Sequence, residues 1–425
     1  MKILLIDANS LFTPDFDYIG LGLPSIAAYL REKIHSLSIK IINKNIDEEL
    51  ASYLPDIIGI SSVSASYKKA IEIAEICKRF NSNVPIIMGG HHITAMPNTL
   101  SQHMDIGVLG EGEQTIAEVC ELFFNDKLTS RMLSQVAGIV YWNENHEITY
   151  TSERGLIEDI DSLPFPARDL LTTYEQKEPL LYTSRGCGYR CVFCSPSRFW
   201  KTVRYSSPEY VVNEIKHLRD AYGTEFIYFA DDLLIHDKNR FKRIVELIEE
   251  NNLNEEIHYK LPCRANLVDQ ELVTNMKRMN VTEVHFGLES MNEKTLKYLK
   301  GPNVTVHDNL NAIDILKNSN IKVIGNFVIG APDETEEELR QTLDFVDKNI
   351  IDDYRCYLLT PLPGTPLWDY ALKKSLVKNN SDMDWSLCWA KDITQETIIL
   401  SKHISRERLR EIFNHYNSGS SISKI

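Results

Sequence analysis

The sequence predicts an α/β protein in which a Rossmann-like domain precedes a partial (β/α)6 barrel and a short, mainly helical C-terminal extension. Three observations support this fold class. Short apolar runs alternate with helical patterns over residues 1–135, the alternation resumes with six units over residues 176–375, and three closely spaced cysteines follow the first strand of the second series. We expect residues 136–175 to form a linker with a β-hairpin and residues 376–425 to form the extension.

The first domain is expected to contain a parallel sheet, because strands separated by helices form right-handed βαβ units. Its predicted strands are Lys2–Asp7, Ile39–Asn43, Asp56–Ser62, Val84–Met88 and Asp105–Leu109, and its helices are Leu23–Lys33, Lys68–Phe80 and Thr115–Phe124. Ligands of such sheets lie beyond the carboxyl ends of the strands. Small and polar residues follow these ends: Ser61, Ser62 and Ser64; Gly89, Gly90, His91 and His92; Gly110, Glu111, Gly112 and Glu113. Glycines there admit a ligand close to the backbone, although paired glycines also form ordinary tight turns.

Composition and charge disfavour several classes of partner. The formal net charge is −14, so nonspecific attraction to nucleic acid or to an anionic membrane is not expected. No stretch approaches the roughly 20 apolar residues that span a bilayer, and Met1–Asp7 is interpreted as a strand rather than a signal peptide. Five of the eight cysteines are scattered, which does not fit a disulfide framework and predicts a reducing, cytoplasmic location.

The remaining three cysteines are Cys187, Cys191 and Cys194, in a C-x3-C-x2-C pattern. Cysteine thiolates are the usual protein ligands of iron–sulfur clusters. Because only three are offered, one iron of a 4Fe–4S cluster would lack a protein ligand and could bind a substrate or cofactor. A zinc site and three incidental buried cysteines are the alternatives, and the sequence lacks the second cysteine pair or matching histidines that zinc sites usually add.

With Phe193 just before the last cysteine, this motif resembles the signature of the radical S-adenosylmethionine (SAM) superfamily. The resemblance implies a 4Fe–4S cluster on Cys187, Cys191 and Cys194 whose open iron binds SAM. It also implies cleavage of SAM to a 5'-deoxyadenosyl radical, with electrons from an external donor such as flavodoxin or ferredoxin. The superfamily core is an open six-stranded barrel with its chemistry at the carboxyl ends of the strands, and the cysteine loop leaves the first strand, as that geometry requires.

Six strand–helix units fit such a barrel. The predicted strands are Leu180–Ser184, Phe226–Ala230, His258–Pro262, Glu283–Leu288, Lys322–Ile329 and Arg355–Thr360, and the helices are Pro208–Ala221, Arg240–Glu250, Gln270–Met279, Leu310–Asn318 and Thr335–Lys348. The resemblance implies that Asp231 and Asp232, after the second strand, grip the SAM amino group. Arg264 could pair with the SAM carboxylate or a substrate anion, Glu289 could accept hydrogen bonds from ribose, and Gly330 would let the chain pass the adenine. Loop caps and salt bridges at the barrel mouth are the alternatives for the charged residues.

The loops of the first domain, together with the segment from Gly20 to Pro24, resemble the cobalamin-binding domain fused to many radical SAM proteins. The implied cobalamin contacts are Ser62, Ser64, Gly89, Gly90, His91, Gly110, Glu111 and Gly112. The D-x-H-x-x-G motif, whose histidine ligates cobalt in better-known cobalamin folds, does not occur, and members of the fused family commonly lack it too. Adjacent histidines such as His91 and His92 are more often hydrogen-bonding loop residues than ligands, since a metal site needs further convergent ligands.

The resemblance implies a cobalamin-dependent radical SAM methyltransferase acting on an unactivated carbon of a small molecule, such as a natural-product intermediate. The alternative is a related enzyme that catalyses a rearrangement, dehydration or cyclisation without methyl transfer; a sensor protein would require an output module in place of the barrel. Cys356, in the sixth strand, could donate a hydrogen atom or form an intermediate with the substrate; the alternative is a buried strand cysteine without a catalytic role. In the extension, Trp385, Cys388 and Trp389 either line a substrate pocket or pack on the barrel, and Ser405–Tyr416 is predicted to be helical.

Overall fold

The computed structural model describes residues 1–9 and 19–417, apart from the side chains of residues 173 and 174. The chain divides into two compact units. Residues 1–172 and 378–388 form the first, and the second contains residues 173–377 and the chain from residue 389 onward. In the described ranges, no helix is both long and apolar enough to cross a bilayer.

The first unit is built on a seven-stranded sheet. Its strands are β1 (Lys2–Asp7), β2 (Ser38–Ile42), β3 (Ile57–Ser61), β4 (Ile86–Gly89), β5 (Ile106–Val108), β6 (Ile139–Trp142) and β7 (Ile148–Tyr150). Its helices are α1 (Gly22–Lys33), α2 (Ile46–Tyr53), α3 (Tyr67–Phe80), α4 (His91–Ala95), α5 (Glu113–Phe124) and α6 (Ser130–Leu133). The strand order is β2-β1-β3-β4-β5-β6-β7, and the first five strands are parallel. The order reverses between β1 and β3, which is where doubly wound sheets bind ligands.

The hairpin that we expected in a linker is the antiparallel edge of this sheet. β6 pairs with β5 through Gly107 and Val140 and through Val108 and Ile139. The reason is burial, since the side chains of Ile139 and Val140 are fully inaccessible, and an isolated hairpin could not cover them. The following segment also stays on the first unit, where the Ile157 N–H donates to Glu111 Oε2 at 2.7 Å.

The second unit contains a six-stranded parallel sheet and a two-stranded ribbon. Its strands are β8 (Leu180–Leu181), β9 (Ser184–Arg185), β10 (Arg204–Tyr205), β11 (Phe226–Phe229), β12 (His258–Cys263), β13 (Val281–Glu289), β14 (Lys322–Ile329) and β15 (Asp353–Leu358). Its helices are α7 (Thr173–Lys177), α8 (Pro196–Phe199), α9 (Pro208–Tyr222), α10 (Lys238–Glu250), α11 (Leu253–Glu256), α12 (Gln270–Arg278), α13 (Glu293–Lys300), α14 (Val306–Lys317), α15 (Glu336–Asp347), α16 (Pro366–Lys373) and α17 (Arg406–Asn417). The order β8-β11-β12-β13-β14-β15 follows the chain, which confirms the partial (β/α)6 architecture.

The two faces of the six-stranded sheet differ in chemistry. On one face, apolar residues such as Phe229, Leu261 and Phe286 pack against the helices in the main core. The alternate residues lie on the opposite face because successive strand side chains point to opposite sides. We call this opposite side the inner face; its half-buried polar and aromatic residues are Phe226, Tyr228, Lys260, Glu283, His285, Asn326, Asp353, Arg355 and Tyr357.

The predicted extension does not behave as one segment. Residues 378–388 belong to the first unit, where Trp385 is buried against the ring of His92 with ring centroids 4.6 Å apart. Residues 389–417 belong to the second unit and end in α17, close to the helix predicted for Ser405–Tyr416. Trp389 is 43% exposed, and its ring lies 5.9 Å from that of Tyr357 on the inner face. Residues 418–425 lie outside the described part of the chain.

Candidate active site

The three clustered cysteines lie in a loop closed by the β9–β10 ribbon. Predicted strand Leu180–Ser184 is interrupted, because β8 ends at Leu181 and the chain then turns into the ribbon. Cys191 is buried, Cys187 and Cys194 are half-buried, and all three are free thiols. The Cys194 N–H donates to the Cys191 carbonyl at 3.2 Å, which folds the second half of the motif into a tight turn.

Arg264 is the main side chain that holds this loop. Its Nη1 donates to Cys191 Sγ at 3.4 Å, Nη2 donates to the Lys300 carbonyl at 3.1 Å, and Nε donates to Asn266 Oδ1 at 3.0 Å. The guanidinium also lies over the Tyr189 ring, 3.8 Å from its centroid. Arg264 was predicted to pair with an anion of SAM or substrate. In the structure its three nitrogens all bond to protein groups, and the anion contact stays a prediction.

Helix α13, which was not predicted from the sequence, is hydrogen-bonded to the cysteine loop. The Val192 N–H donates to the Leu299 carbonyl at 3.0 Å. Lys300, at the end of the helix, is buried with Glu289, and the Nζ and Oε1 atoms lie 3.7 Å apart. Burial raises the pKa of Glu289 and lowers that of Lys300, and each charge offsets part of the other's desolvation.

Glu289 has an unusual backbone. Its φ of +61° lies in the left-handed region, and the pairing of β13 with β14 shifts register between Gly287 and Glu289. A non-glycine residue held there costs on the order of 1 kcal/mol and often marks a functional site. Its predicted contact with ribose is not tested.

The two predicted SAM-binding acids differ in environment. Asp231 is fully enclosed, and its Oδ1 accepts hydrogen bonds from the Thr183 N–H at 3.0 Å, from the Thr183 hydroxyl at 2.9 Å and from the Ser184 hydroxyl. Its Oδ2 is buried without a hydrogen-bond partner among the residues described, and burial raises its pKa. Asp232 is open to solvent on one side yet recessed beside the cysteine loop, so that burial and the neighbouring Asp231 raise its pKa to about 6.

Glu334 holds the turn that follows β14, the fifth strand of the barrel. Its Oε2 accepts a hydrogen bond from the N–H of Gly330 at 3.0 Å, where the chain turns with φ +85°. Burial raises the pKa of Glu334 to about 7. Cys356, on the neighbouring strand, packs in the core on the helix side of β15, and burial raises the pKa of its thiol to about 12. Its position is therefore opposite to the inner face.

These residues fit an iron–sulfur cluster by the chemistry of the donor set. Three free cysteine thiols share one loop, and the guanidinium of Arg264 provides a charge-assisted donor to Cys191. Within residues 1–9 and 19–417, no three cysteine, histidine or acidic side chains converge closely enough for a single metal ion. A cubane cluster needs wider spacing, since each cysteine binds a different iron.

In the first unit, side chains connect the loops after β1 and β3. Asp7 Oδ1 accepts a hydrogen bond from the Asn9 amide group at 2.7 Å, and Asn9 Oδ1 accepts from the Val63 N–H at 2.8 Å and from the Ser66 hydroxyl at 2.7 Å. The sequence analysis missed Asn9, although it directly follows the first strand. This network holds the two sides of the predicted ligand crevice together.

The predicted cobalamin residues have distinct roles in these loops. Ser64 and His92 bond to each other, while the other His92 nitrogen bonds to Thr99 at 3.0 Å. The His92 ring also stacks on Tyr67 with centroids 3.8 Å apart, and burial lowers its pKa to about 3. His92 is therefore a hydrogen-bonding loop residue, the role that the sequence analysis called the more common one for adjacent histidines. His91 is half-buried, and burial lowers its pKa.

Two features fit a bound group at this edge of the sheet. The Ser62 hydroxyl is buried without a hydrogen-bond partner in the described ranges, and a bound molecule could supply one. A Cβ at Gly89 or Gly110 would meet no atom within 4 Å, which leaves open space beside the backbone. Gly90, in contrast, has φ +100°, and a Cβ there would lie 2.5 Å from the Ser62 carbonyl oxygen.

The chain matches two sequence families and several known proteins. Residues 181–346 match the Radical SAM superfamily and residues 11–120 match the B12 binding domain. An uncharacterized methyltransferase, PH0819, of Pyrococcus horikoshii is 31% identical over 406 residues, covering 92% of this chain and 85% of that protein. The anaerobic magnesium-protoporphyrin IX monomethyl ester cyclase of Cereibacter sphaeroides is 25% identical over 79% of this chain, which spans 56% of the cyclase.

Among solved structures, the radical SAM methyltransferase TsrM of Kitasatospora setae, with cobalamin and a [4Fe–4S] cluster bound, aligns with a TM-score of 0.72. The alignment covers 88% of this chain and 78% of TsrM at 18% identity, and thus agrees in fold. Together with the two matched domains and the relative from P. horikoshii, it confirms the resemblance read from the cysteine motif and the glycine-rich loops. The chain belongs to the family of radical SAM enzymes that carry an N-terminal cobalamin-binding domain.

Proposed function

We propose that this enzyme transfers a methyl group to an unactivated carbon of a small molecule, using a 4Fe–4S cluster, SAM and cobalamin. The observation that carries the proposal is the cysteine loop, which places three free thiols at the carboxyl end of the first barrel strand with Arg264 bonded to one of them. The methyltransferase name of the P. horikoshii relative supports methyl transfer.

The bound groups would supply the electron, the radical and the methyl group, and the protein would supply orientation. In this proposal Cys187, Cys191 and Cys194 hold three irons and Phe193 lies beside the site. Asp231 braces the chain entering the loop through Thr183, and its free Oδ2 is available to a donor on SAM. Asp232, Glu289 and Gly330 complete the proposed SAM site.

At the first unit, we assign cobalamin to the loops after β3, β4 and β5. Ser62 offers a buried hydroxyl, and Gly89 and Gly110 leave space for a large planar ligand. Ser64, Gly90, Glu111 and Gly112 would shape the same site, although Ser64 and Glu111 each already bond to protein groups. His91 is a further proposed contact, whereas both His92 nitrogens are engaged within the protein.

A second candidate function is radical chemistry without methyl transfer. The relationship to the C. sphaeroides cyclase favours this alternative. One SAM per turnover, with no S-adenosylhomocysteine, would identify it.

We further assign a small-molecule substrate, an external electron donor such as flavodoxin or ferredoxin, and a cytoplasmic location without nucleic-acid partners. All eight cysteines are free, which suits a reducing compartment. The net charge of −14 opposes binding to nucleic acid.

The proposal can be tested by anaerobic reconstitution with iron, sulfide and hydroxocobalamin, followed by SAM and dithionite. We expect 5'-deoxyadenosine, and S-adenosylhomocysteine when a methyl acceptor is present. Cys191→Ala should abolish 5'-deoxyadenosine, whereas Cys120→Ala, a buried cysteine in α5, should retain it. Formation of 5'-deoxyadenosine by Cys191→Ala would refute the cluster assignment, and failure to bind cobalamin would shift the function to the second candidate.

A further inference from the structure

The inner face of the barrel carries an unusual set of residues. Interiors of (β/α) barrels are usually filled by bulky branched apolar side chains. Here β13 contributes Glu283 and His285, β14 contributes Asn326, and β15 contributes Arg355 and Tyr357. Polar groups in a barrel interior are costly unless they are satisfied, so they point to a ligand or to one another.

Two of these polar side chains, those of Glu283 and His285, bond to each other. His285 Nε2 and Glu283 Oε1 lie 2.6 Å apart, and only 13% and 18% of the two side chains are exposed. This bond and the nearby Lys260 lower the pKa of Glu283, so its carboxylate is charged and already committed to His285. The His285 ring also contacts Tyr228 edge to face, with centroids 5.2 Å apart. The His285–Glu283 pair therefore positions Tyr228.

Arg355 is different, because it forms no ion pair or hydrogen bond with the residues that the structure describes. It is half-buried, and its strand partner on β14 is Asn326. The cation is thus partly removed from water without an ion-pair contact to a described residue, although Asp353 lies two residues away on the same face of β15. A half-buried guanidinium with unused donors favours binding of an anion.

The groups around Arg355 converge although their strands are far apart in the sheet. Strands β12, β13 and β14 lie between β11 and β15. In a flat sheet, the usual interstrand spacing would put β11 and β15 about 19 Å apart. Burial raises the pKa of Tyr228 to about 12, and the charge of Arg355 opposes that rise while Tyr357 adds to it. Because the six strands form a partial barrel, the sheet curls, and the inner-face residues Tyr228 and Arg355 are turned towards the same interior. Tyr228 remains protonated there and can donate a hydrogen bond.

We propose that Arg355, Tyr228 and Asn326 form a binding site for an anionic group of the substrate, either a carboxylate or a phosphate-type group. A planar guanidinium with a neighbouring hydroxyl and amide matches the oxygens of such groups. Trp389, beside Tyr357, provides an exposed aromatic surface for an adjoining part of the molecule. Calling the anion part of the substrate rests on the proposed function; the anion site itself does not.

The test uses the reconstituted holoenzyme and inorganic phosphate as the probe. Binding is followed by 31P line broadening against chloride of equal ionic strength. We expect saturable binding that weakens at least about tenfold in Arg355→Gln, is partly retained in Arg355→Lys, and is unchanged in Arg340→Gln, an exposed arginine on α15. Cluster absorbance and circular dichroism establish that each variant is folded.

SAM affinity, measured separately by equilibrium dialysis, distinguishes the two sources of a carboxylate. We expect it to be unchanged in Arg355→Gln. Tenfold weaker SAM binding would assign the site to the SAM carboxylate and overturn the substrate assignment. Equal phosphate binding by the parent and Arg355→Gln, or no binding by the parent, would overturn the site. If phosphate binding depends on Arg355 but S-adenosylhomocysteine never forms, the methyl-transfer function fails while the anion site stands.

Discussion

Arg264 is expected to set the reduction potential of the proposed cluster. Its guanidinium is buried and donates to Cys191 Sγ at 3.4 Å, so its positive charge would lie close to a cluster held by that thiolate. Hydrogen bonds to cluster sulfurs and nearby charges are the main means by which proteins adjust such potentials. Arg264→Gln removes the charge and retains an amide donor, and it should therefore make the potential more negative.

The size of the shift follows from Coulomb's law. Arg264 Nη1 lies 3.4 Å from Cys191 Sγ. For a cluster charge on the order of 7 Å from the guanidinium and an effective dielectric constant of about 20, the arginine would stabilise an added electron by about 2.4 kcal/mol. For a one-electron couple this corresponds to a shift on the order of 100 mV. Arg264→Lys keeps the charge but loses the fork and the stacking on Tyr189, so its shift should be much smaller.

The assay is an anaerobic redox titration followed by electron paramagnetic resonance, with iron and sulfide content measured on the same samples. Arg278→Gln is the matched control, because this arginine pairs with Glu249 at the surface of the same unit. A variant that keeps its cluster but whose potential stays within about 20 mV of the parent would refute the electrostatic reasoning. Loss of iron from both Arg264→Gln and Arg264→Lys would also refute the electrostatic reasoning, since the arginine would then act only by holding the cysteine loop in place.

Three further predictions concern stability. Gly186→Ala places a methyl group 2.7 Å from the Thr202 carbonyl oxygen at a residue with φ +102°, so we expect a loss of about 1–3 kcal/mol and of bound iron. Gly155→Ala, where a methyl group meets no atom within 4 Å, is the control, and parental stability and iron content in Gly186→Ala would contradict the clash. His92 is buried as a neutral ring, so the stability of the protein should fall as the pH drops below about 6.5. The melting temperature of His92→Gln should not show this fall. A variant whose melting temperature drops as much in acid as that of the parent would contradict the role of His92. The raised pKa of Glu334 should make stability fall as the pH rises from about 4.5 towards 7. Glu334→Gln, which keeps an acceptor for Gly330, should therefore melt higher than the parent at pH 8 and at the same temperature at pH 5; equal melting at pH 8 would argue against the buried charge.

Local sequence patterns were sufficient for most of the sheet architecture. β1 and β14 have the predicted bounds, because each is an apolar run bounded by charged or turn residues. The position of the β6–β7 hairpin was not predictable in the same way. Its own residues indicate a hairpin, but pairing with β5 is a contact between segments about 30 residues apart, which local patterns do not encode.

The same distinction between local patterns and contacts of distant segments applies to the candidate site. The cysteines could be recognised from their spacing alone. The partner of Arg264 could not, since Arg264 and Cys191 are 73 residues apart and meet only in the folded chain. A usable signal existed for the inner face. Glu283, His285 and Arg355 alternate with apolar residues on strands that should be nearly continuously apolar if both faces were packed.

The two arginines at the barrel show why residue type alone does not assign a role. Arg264 was predicted to bind an anion because guanidinium groups bind carboxylates, and in the structure its three donor nitrogens and one face of its guanidinium contact protein groups. Releasing it to a ligand would leave the Lys300 carbonyl and Cys191 without their donor. Arg355 forms no ion pair or hydrogen bond with the described residues, and Glu283, on the same inner face, is already paired with His285. A ligand anion therefore completes the surroundings of Arg355, whereas at Arg264 it would have to displace them.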